Sequence, residues 1–400
     1  MNLHSDYPFW LVKEGILADY TRLAKDAKAD VVVIGGGISG ALIGHELQRR
    51  GVDTIIVDKR HLGFGSTSAS TALLQYEIDH PLHRLAGEVG DERAVRAFRL
   101  CGDAILTLEK ICARLPGEAE FRRRPSLWYA SYRKDVAKTL LPEYRARKLA
   151  GFDVRLLDES DMRRLFGFAA PAAILSALGA TCNPYKLTNG LLAAFLRGGG
   201  RVHDLTEVAG WTETRSGLTL TTTNGIRVRA RHIVVAAGYE TQSFLDRSVT
   251  QFHTTYAIAS KPNGVATPWH RNALIWETRT PYLYLRTTAD RRIIVGGRDD
   301  ESSDPRKRDA SVGRKSRQLL ADFRALFPGA PFDIDFAWGG TFGETRDGLP
   351  YIGTAGQKRV HYAMSYGGNG ITFSVVAARL MGDAVTGRKN PDAAIFAFDR

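Results

Sequence analysis

The chain has 400 residues, 44% hydrophobic and 24% charged, a mix that suits one large fold or roughly two to three packed units and excludes a disordered, collagen-like or coiled-coil chain. Lysine and arginine total 55 against 43 acids, a net charge of +12; the basic residues are scattered, and no nucleic-acid partner is expected from them. No apolar run approaches the roughly 18 residues of a membrane span, no basic-then-apolar leader opens the sequence, and Cys101, Cys112 and Cys182 lack metal-ligand spacing. The expectation is a cytoplasmic, reducing setting, with peripheral membrane contact left open and no metal.

Residues 1–27 form a polar and aromatic arm, in which Tyr7-Pro8-Phe9-Trp10 is apolar enough to pack on the globule. The β-branched run Val31–Ile34 predicts a buried parallel strand. A glycine turn over Gly35–Gly40, a helix stopping near Gly51 and a second strand, Thr54–Val57, follow, ending on Asp58. Residues 63–71 read as a small, flexible, hydroxyl-rich loop, and 81–165 as mostly helical. A helix is expected over 189–198, strands over 201–205 and 217–228 with a hairpin at Thr223-Asn224-Gly225, and a buried strand over 232–238. Alternation over 251–300 predicts an antiparallel sheet. Helices are expected near 311–327 and 373–386, the second after Gly367-Gly368-Asn369-Gly370. With no repeat or linker, the order predicts two interwoven units. The first takes 28–80, 166–245 and 336–390, the second 81–165 and 246–335, and 391–400 is a tail.

The strongest signal is Gly35-x-Gly37-x-x-Gly40 between strand and helix, with Asp58 ending the next strand. Gly35 allows the tight turn, Gly37 lets backbone approach a pyrophosphate, and Gly40 lets helix and strand pack closely. The phosphate charge then meets the helix N-terminus. Asp58 suits ribose hydroxyls and argues against a 2′-phosphate.

With the loop Gly65–Thr71, the strand Val234–Gly238, the run Thr345–Gly353 and the bend Gly367–Thr372, the chain resembles the FAD-dependent amino acid and amine oxidase family over about residues 30–385. That family includes the D-amino acid oxidase, glycine oxidase, sarcosine oxidase and γ-glutamylputrescine oxidoreductase types. The resemblance implies an α/β fold in which an FAD-binding, Rossmann-like domain with a parallel sheet is interwoven with an α+β substrate domain carrying an antiparallel sheet. It implies non-covalent FAD, held by Gly35, Gly37, Ile38, Ser39, Gly40, Asp58 and Lys59, by Gly65, Ser66, Thr67, Ser70 and Thr71, by Val208, Ala237, Gly238 and Gly340, and by Gly368, Asn369, Gly370, Ile371 and Thr372.

The implied chemistry is oxidation of a C–N bond of an amine or amino acid by hydride transfer to flavin N5, giving an imine that water hydrolyses. Such a step needs orientation and exclusion of water more than acid–base groups. Gln75 stands where sarcosine oxidases carry a carboxylate-binding Arg, and Thr372 where they carry a Lys. Arg286, on the strand face of Tyr282 and Tyr284, is the replacement cation expected to hold an anionic substrate. Tyr284, Arg286, Gln75 and Thr372 are thus the expected catalytic set. Glu77 is weighed as a partner for a cationic amine or a salt-bridged acid, and Trp276 and Tyr256 as pocket walls or core. Rival readings are an FAD-dependent dehydrogenase of a 2-hydroxy acid with a non-oxygen acceptor, a basic RNA-binding or tRNA-modifying flavoprotein, and a protein that holds FAD only structurally.

Overall fold

The computed structural model describes every residue except Asp6, Ser216 and residues 263–266. The run Val31–Ile34 is buried at all positions and sits inside a six-stranded sheet. Its neighbours on one side are Thr54–Val57 and Arg201–His203, and on the other His232–Val235, Val360–Met364 and Tyr351–Thr354. All pairs are parallel except the last.

Alternate residues of these strands feed two cores, as the period-two pleat requires. Val31 and Val33 point into a core with the helices Ile38–Arg49, Pro184–Arg197 and Gly370–Val385. Val32 and Ile34 point the other way, against the hairpin strands Gly217–Thr222 and Arg227–Ala230 of a four-stranded sheet.

Over one end lies an eight-stranded sheet, here called the roof. Its order is Ile334–Glu344, Gln251–Ser260, Ile293–Asp300, Tyr284–Thr287, Leu274–Glu277, Ser126–Tyr129, Ala172–Ser176 and Val154–Asp158. Pairing is antiparallel apart from Leu274–Glu277 beside Ser126–Tyr129. The helix Pro305–Leu326, N-capped by the Asp304 carboxylate accepting from the Arg306 amide at 2.9 Å, packs on the roof through Leu319 and Phe323.

Three sequence expectations change. Residues 81–165 do form the helices Leu82–Val89, Asp91–Cys112 and Leu141–Leu149. They also supply two roof strands, whose four- and five-residue lengths are too short for periodicity to reveal. The roof recruits Ala172–Ser176 and Ile334–Glu344, which the sequence reading assigned largely to the other unit. The hydroxyl-rich loop is not loose: Ser66–Ala69 is a helical turn fastened from three sides, as shown below.

Of the arm's aromatic run, Phe9 and Trp10 pack on the globule as expected, while Tyr7 stays 75% exposed. Phe9 and Trp10 are fully buried, and Phe9 stacks on Trp338 with ring centroids 5.8 Å apart. Among the described residues no helix is long and apolar enough to cross a membrane.

Candidate active site

A cavity of about 440 Å³ opens at the carboxyl ends of the parallel strands, where Ile34, Val57 and Ala236 reach its wall. This is the usual ligand position in open α/β sheets. Two helices begin there. Ile38–Arg49 starts from Gly37 and Gly370–Val385 from Asn369, both without a side-chain cap. Their first turns touch through the Ser39 and Ser374 hydroxyls, 2.7 Å apart although 335 residues separate them in sequence. Two N-terminal dipoles therefore serve one cavity.

The first bend is tight. Gly35 has φ +111°, and a Cβ there would lie 2.4 Å from the Ala236 carbonyl oxygen. Asp58 accepts from the Gly36 amide at 2.7 Å and the Arg60 amide at 2.8 Å. Burial pushes its carboxyl up, and those amides and the Arg60 charge hold it down. Lys59 and Arg60 both pair with Glu240, at 3.0 and 2.6 Å.

The 65–71 segment is held by donors from remote elements. The Trp10 indole donates to the Ser70 carbonyl at 2.7 Å, and the Trp338 indole to the Ala69 carbonyl at 2.9 Å. Arg286 donates to the carbonyls of Thr71, Ala72 and Cys182 at 3.0, 2.8 and 3.0 Å. So fixed, the segment turns Thr67 Oγ1 toward the glycine bend, where it accepts from the Ile38 amide at 3.0 Å.

Arg286 is thereby corrected. Strand alternation put it on the face of Tyr284, but it is 2% exposed, does not line the cavity, and spends its donors on backbone. Burial lowers its pKa to about 10. Thr372 is corrected too: it is 1% exposed, off the wall, and its hydroxyl donates to the Asn369 carbonyl at 3.0 Å. Tyr284 and Gln75 do line the cavity, and Gln75 donates to Ser126 Oγ at 3.2 Å.

Of the residues expected to meet the cofactor, all line the cavity except Gly40, Asn369 and Thr372. A Cβ on Gly40 would lie 1.8 Å from the Gly35 carbonyl oxygen, so its work is helix–strand packing. Asn369 donates to the carbonyls of Gln75 and Glu77 at 3.2 and 2.8 Å, tying the second helix to the strand Leu73–Gln75.

Glu77 is a salt-bridged acid. It sits 3.4 Å from Arg147, both fully buried, and Arg147 also pairs with Glu143 at 2.7 Å. Trp276 is core, stacked 5.1 Å from Trp128. Tyr256 does reach the wall and donates to Asp300 at 2.9 Å.

At the end farthest from Asp58, Tyr282, Tyr284, Thr255 and Asp299 meet Gly367 and Gly368 on the wall. Behind them Asp79 accepts from the Tyr282 hydroxyl at 2.9 Å and from the Gly368 amide at 2.8 Å. Asp79 and Asp299 carry no local motif, and the sequence reading passed over both.

Residues 30–384 match the DAO family, FAD dependent oxidoreductase. The chain belongs to the DAO family of FAD-dependent oxidoreductases. It is 23% identical over 380 residues to gamma-glutamylputrescine oxidoreductase of Escherichia coli (strain K12), covering 92% of this chain and 86% of the relative. It is similar to the crystal structure of glycine oxidase from Geobacillus kaustophilus, with TM-score 0.76, 21% identity, and coverage of 94% and 99% of the two chains. It also resembles the FAD-bound L-alpha-glycerophosphate oxidase from Mycoplasma pneumoniae, with TM-score 0.76, 14% identity, and coverage of 91% and 97%.

FAD is the cofactor of this DAO-family chain, and the residues present fit it. The uncapped helix ends and Thr67 would hold the pyrophosphate, Asp58 the ribose hydroxyls, and the Gly367–Ile371 bend the far end of the flavin. Ser66 Oγ lies on the same wall, buried with no partner within the protein, as an atom awaiting a ligand does. Among the described wall residues there is no cysteine or histidine, so no thioether or histidyl linkage forms.

Proposed function

We propose that this DAO-family enzyme oxidises a C–N bond of an amine or amino acid. FAD, when bound, takes up the hydride equivalent lost from the α-carbon; the nitrogen loses a proton, and water hydrolyses the imine to a carbonyl compound and an amine or ammonia. The chain's own residues bind, orient and exclude water. Tyr282 and Tyr284 wall the far end, and Gln75, steadied by Ser126, closes it beside the Gly367–Gly368 bend. No nucleophile–base pair is needed, and none stands among the described wall residues at this end.

One observation supports the reading over its rivals: end-to-end similarity to relatives named for C–N substrates, gamma-glutamylputrescine oxidoreductase and glycine oxidase. A 2-hydroxy acid needs a cation for its carboxylate, as an amino acid does, so the wall weighs toward the amine half of the reading. The basic residues on the described wall are Lys59 and Arg60, both engaged by Glu240 at the opposite end.

In the same reading the parallel-sheet unit is the FAD-binding domain and the roof is the substrate domain. Product analysis with a dye acceptor tests it. The reading expects carbonyl compound and released amine or ammonia in equal amounts from a nitrogen substrate. Dye reduction with no nitrogen product overturns it.

A further inference from the structure

We infer that the far end of the cavity recognises a substrate carrying a second positive charge, a diamine or polyamine, with Asp299 receiving its distal ammonium. The inference rests on the C–N reading above and narrows it.

Asp299 lines the cavity, and its Oδ1 is fully buried with no hydrogen-bond partner. A carboxylate oxygen removed from water and left unpaired is costly unless a donor arrives. The Thr255 hydroxyl hydrogen-bonds this carboxylate; Lys315 acts on it through its charge, but among the described residues the Lys315 ion pair goes to Asp300.

Asp79 and Asp300 act on Asp299, and Asp79 and Asp299 act in turn on Glu344, from separate segments. Burial first, then mutual repulsion, raises Asp299 to about 6 and Glu344 to about 7. Three carboxylates thus concentrate negative potential at a partly desolvated end wall, the condition that attracts and holds a cation.

The nearby cations are committed elsewhere. Lys315 pairs with Asp300 and donates to the Arg298 carbonyl at 2.6 Å. Arg286 is spent on backbone carbonyls. A free α-carboxylate at this end would therefore face acids with no compensating cation. An ammonium finds the Asp299 oxygen and the Tyr282 and Tyr284 rings, whose centroids are 5.8 Å apart, and whose faces favour a cation.

The test uses holoenzyme with a dye acceptor, and 1,4-diaminobutane, 1-aminobutane, sarcosine and lactate as probes. The diamine is expected to exceed the monoamine in kcat/KM by roughly tenfold, the size of one charge-assisted hydrogen bond. In Asp299→Asn that ratio should fall to about one, mostly through KM. Glu344→Gln, on a more exposed side chain, should lower the ratio by about threefold, and it keeps the test alive if Asp299→Asn does not fold. Sarcosine turned over in preference to both amines overturns the inference and leaves the C–N reading standing. A ratio unchanged in both variants overturns it too, as does an equal loss for both amines, which would make these acids proton acceptors for the reacting nitrogen. Turnover of lactate alone overturns both readings.

Discussion

At the Asp58 end of the cavity the contacts are mostly backbone: a glycine bend with φ +111° at Gly35, the N-terminus of the helix Ile38–Arg49, and a hydroxyl-bearing turn. At the opposite end, beside the Gly367–Gly368 bend, they are mostly side chains drawn from residues 75, 79, 255, 282, 284 and 299, on four separate stretches of chain. The first construction suits a ligand part that is the same in every turnover, since every substitution but proline leaves the backbone N–H in place. The second suits specificity, since a single side chain resets its charge. A shared cofactor and a variable substrate thus meet in one cavity under different rules.

The contrast breaks most readily at Gly37. Valine there crowds Thr67 Oγ1, which lies 3.1 Å from the position of a Cβ, and blocks close backbone approach. FAD affinity should fall by about 100-fold or more, read by flavin absorbance after gel filtration; full yellow occupancy would refute the pyrophosphate placement.

Arg286→Met sharpens the contrast from the other side. Four carbonyls, those of Thr71, Ala72, Cys182 and Thr287, lose their donor, and stability should fall by about 3 kcal/mol, partly offset because burying the guanidinium is itself costly. Urea unfolding measures this. An equal loss in Arg286→Lys would show that packing, not the planar fork, is what counts.

Affinity for 1,4-diaminobutane should rise by about tenfold between about pH 5 and about pH 8. Asp299 and Glu344, raised to about 6 and about 7, ionise across that window while the amines stay protonated. Asp79, Asp300, Lys315, Tyr284 and, 3.8 Å from Glu344, His253 share this surface. Because both acids are raised in the fold, the stability they contribute is greatest at low pH and is lost as pH climbs through 6 to 7. Bound diamine should restore it. Isothermal titration across pH reads the affinity, and a flat profile counts against an acidic recognition end.

The smallest effect is expected for Trp10→Phe. It removes one indole donor to the Ser70 carbonyl, about 1 kcal/mol. FAD release should quicken by roughly fivefold, by stopped-flow dilution.

Legibility in the sequence follows the same division. The strand–glycine–helix–strand–acid order is local, so its spacing reveals it. The end bend at Gly367–Gly370 is equally local. Arg286 was misplaced because strand alternation tells which face a side chain leaves from, not how deep it travels or what carbonyls wait below. Asp79, Asp299 and Glu344 are unremarkable in their own segments; the roof's strand order brings Asp299 and Glu344 near each other, and hydrogen bonds to Tyr282 and Gly368 hold Asp79 against them. The strands Ser126–Tyr129 and Val154–Asp158 were hidden because four and five residues are too few for periodicity to reveal.

The central claim is that one cavity joins an FAD-binding end to an end that selects a nitrogen donor. Anaerobic mixing of the yellow holoenzyme with 1,4-diaminobutane, sarcosine and lactate tests it most directly. The account predicts that a nitrogen compound bleaches the flavin and lactate does not. Bleaching by lactate with both nitrogen compounds inert would contradict it.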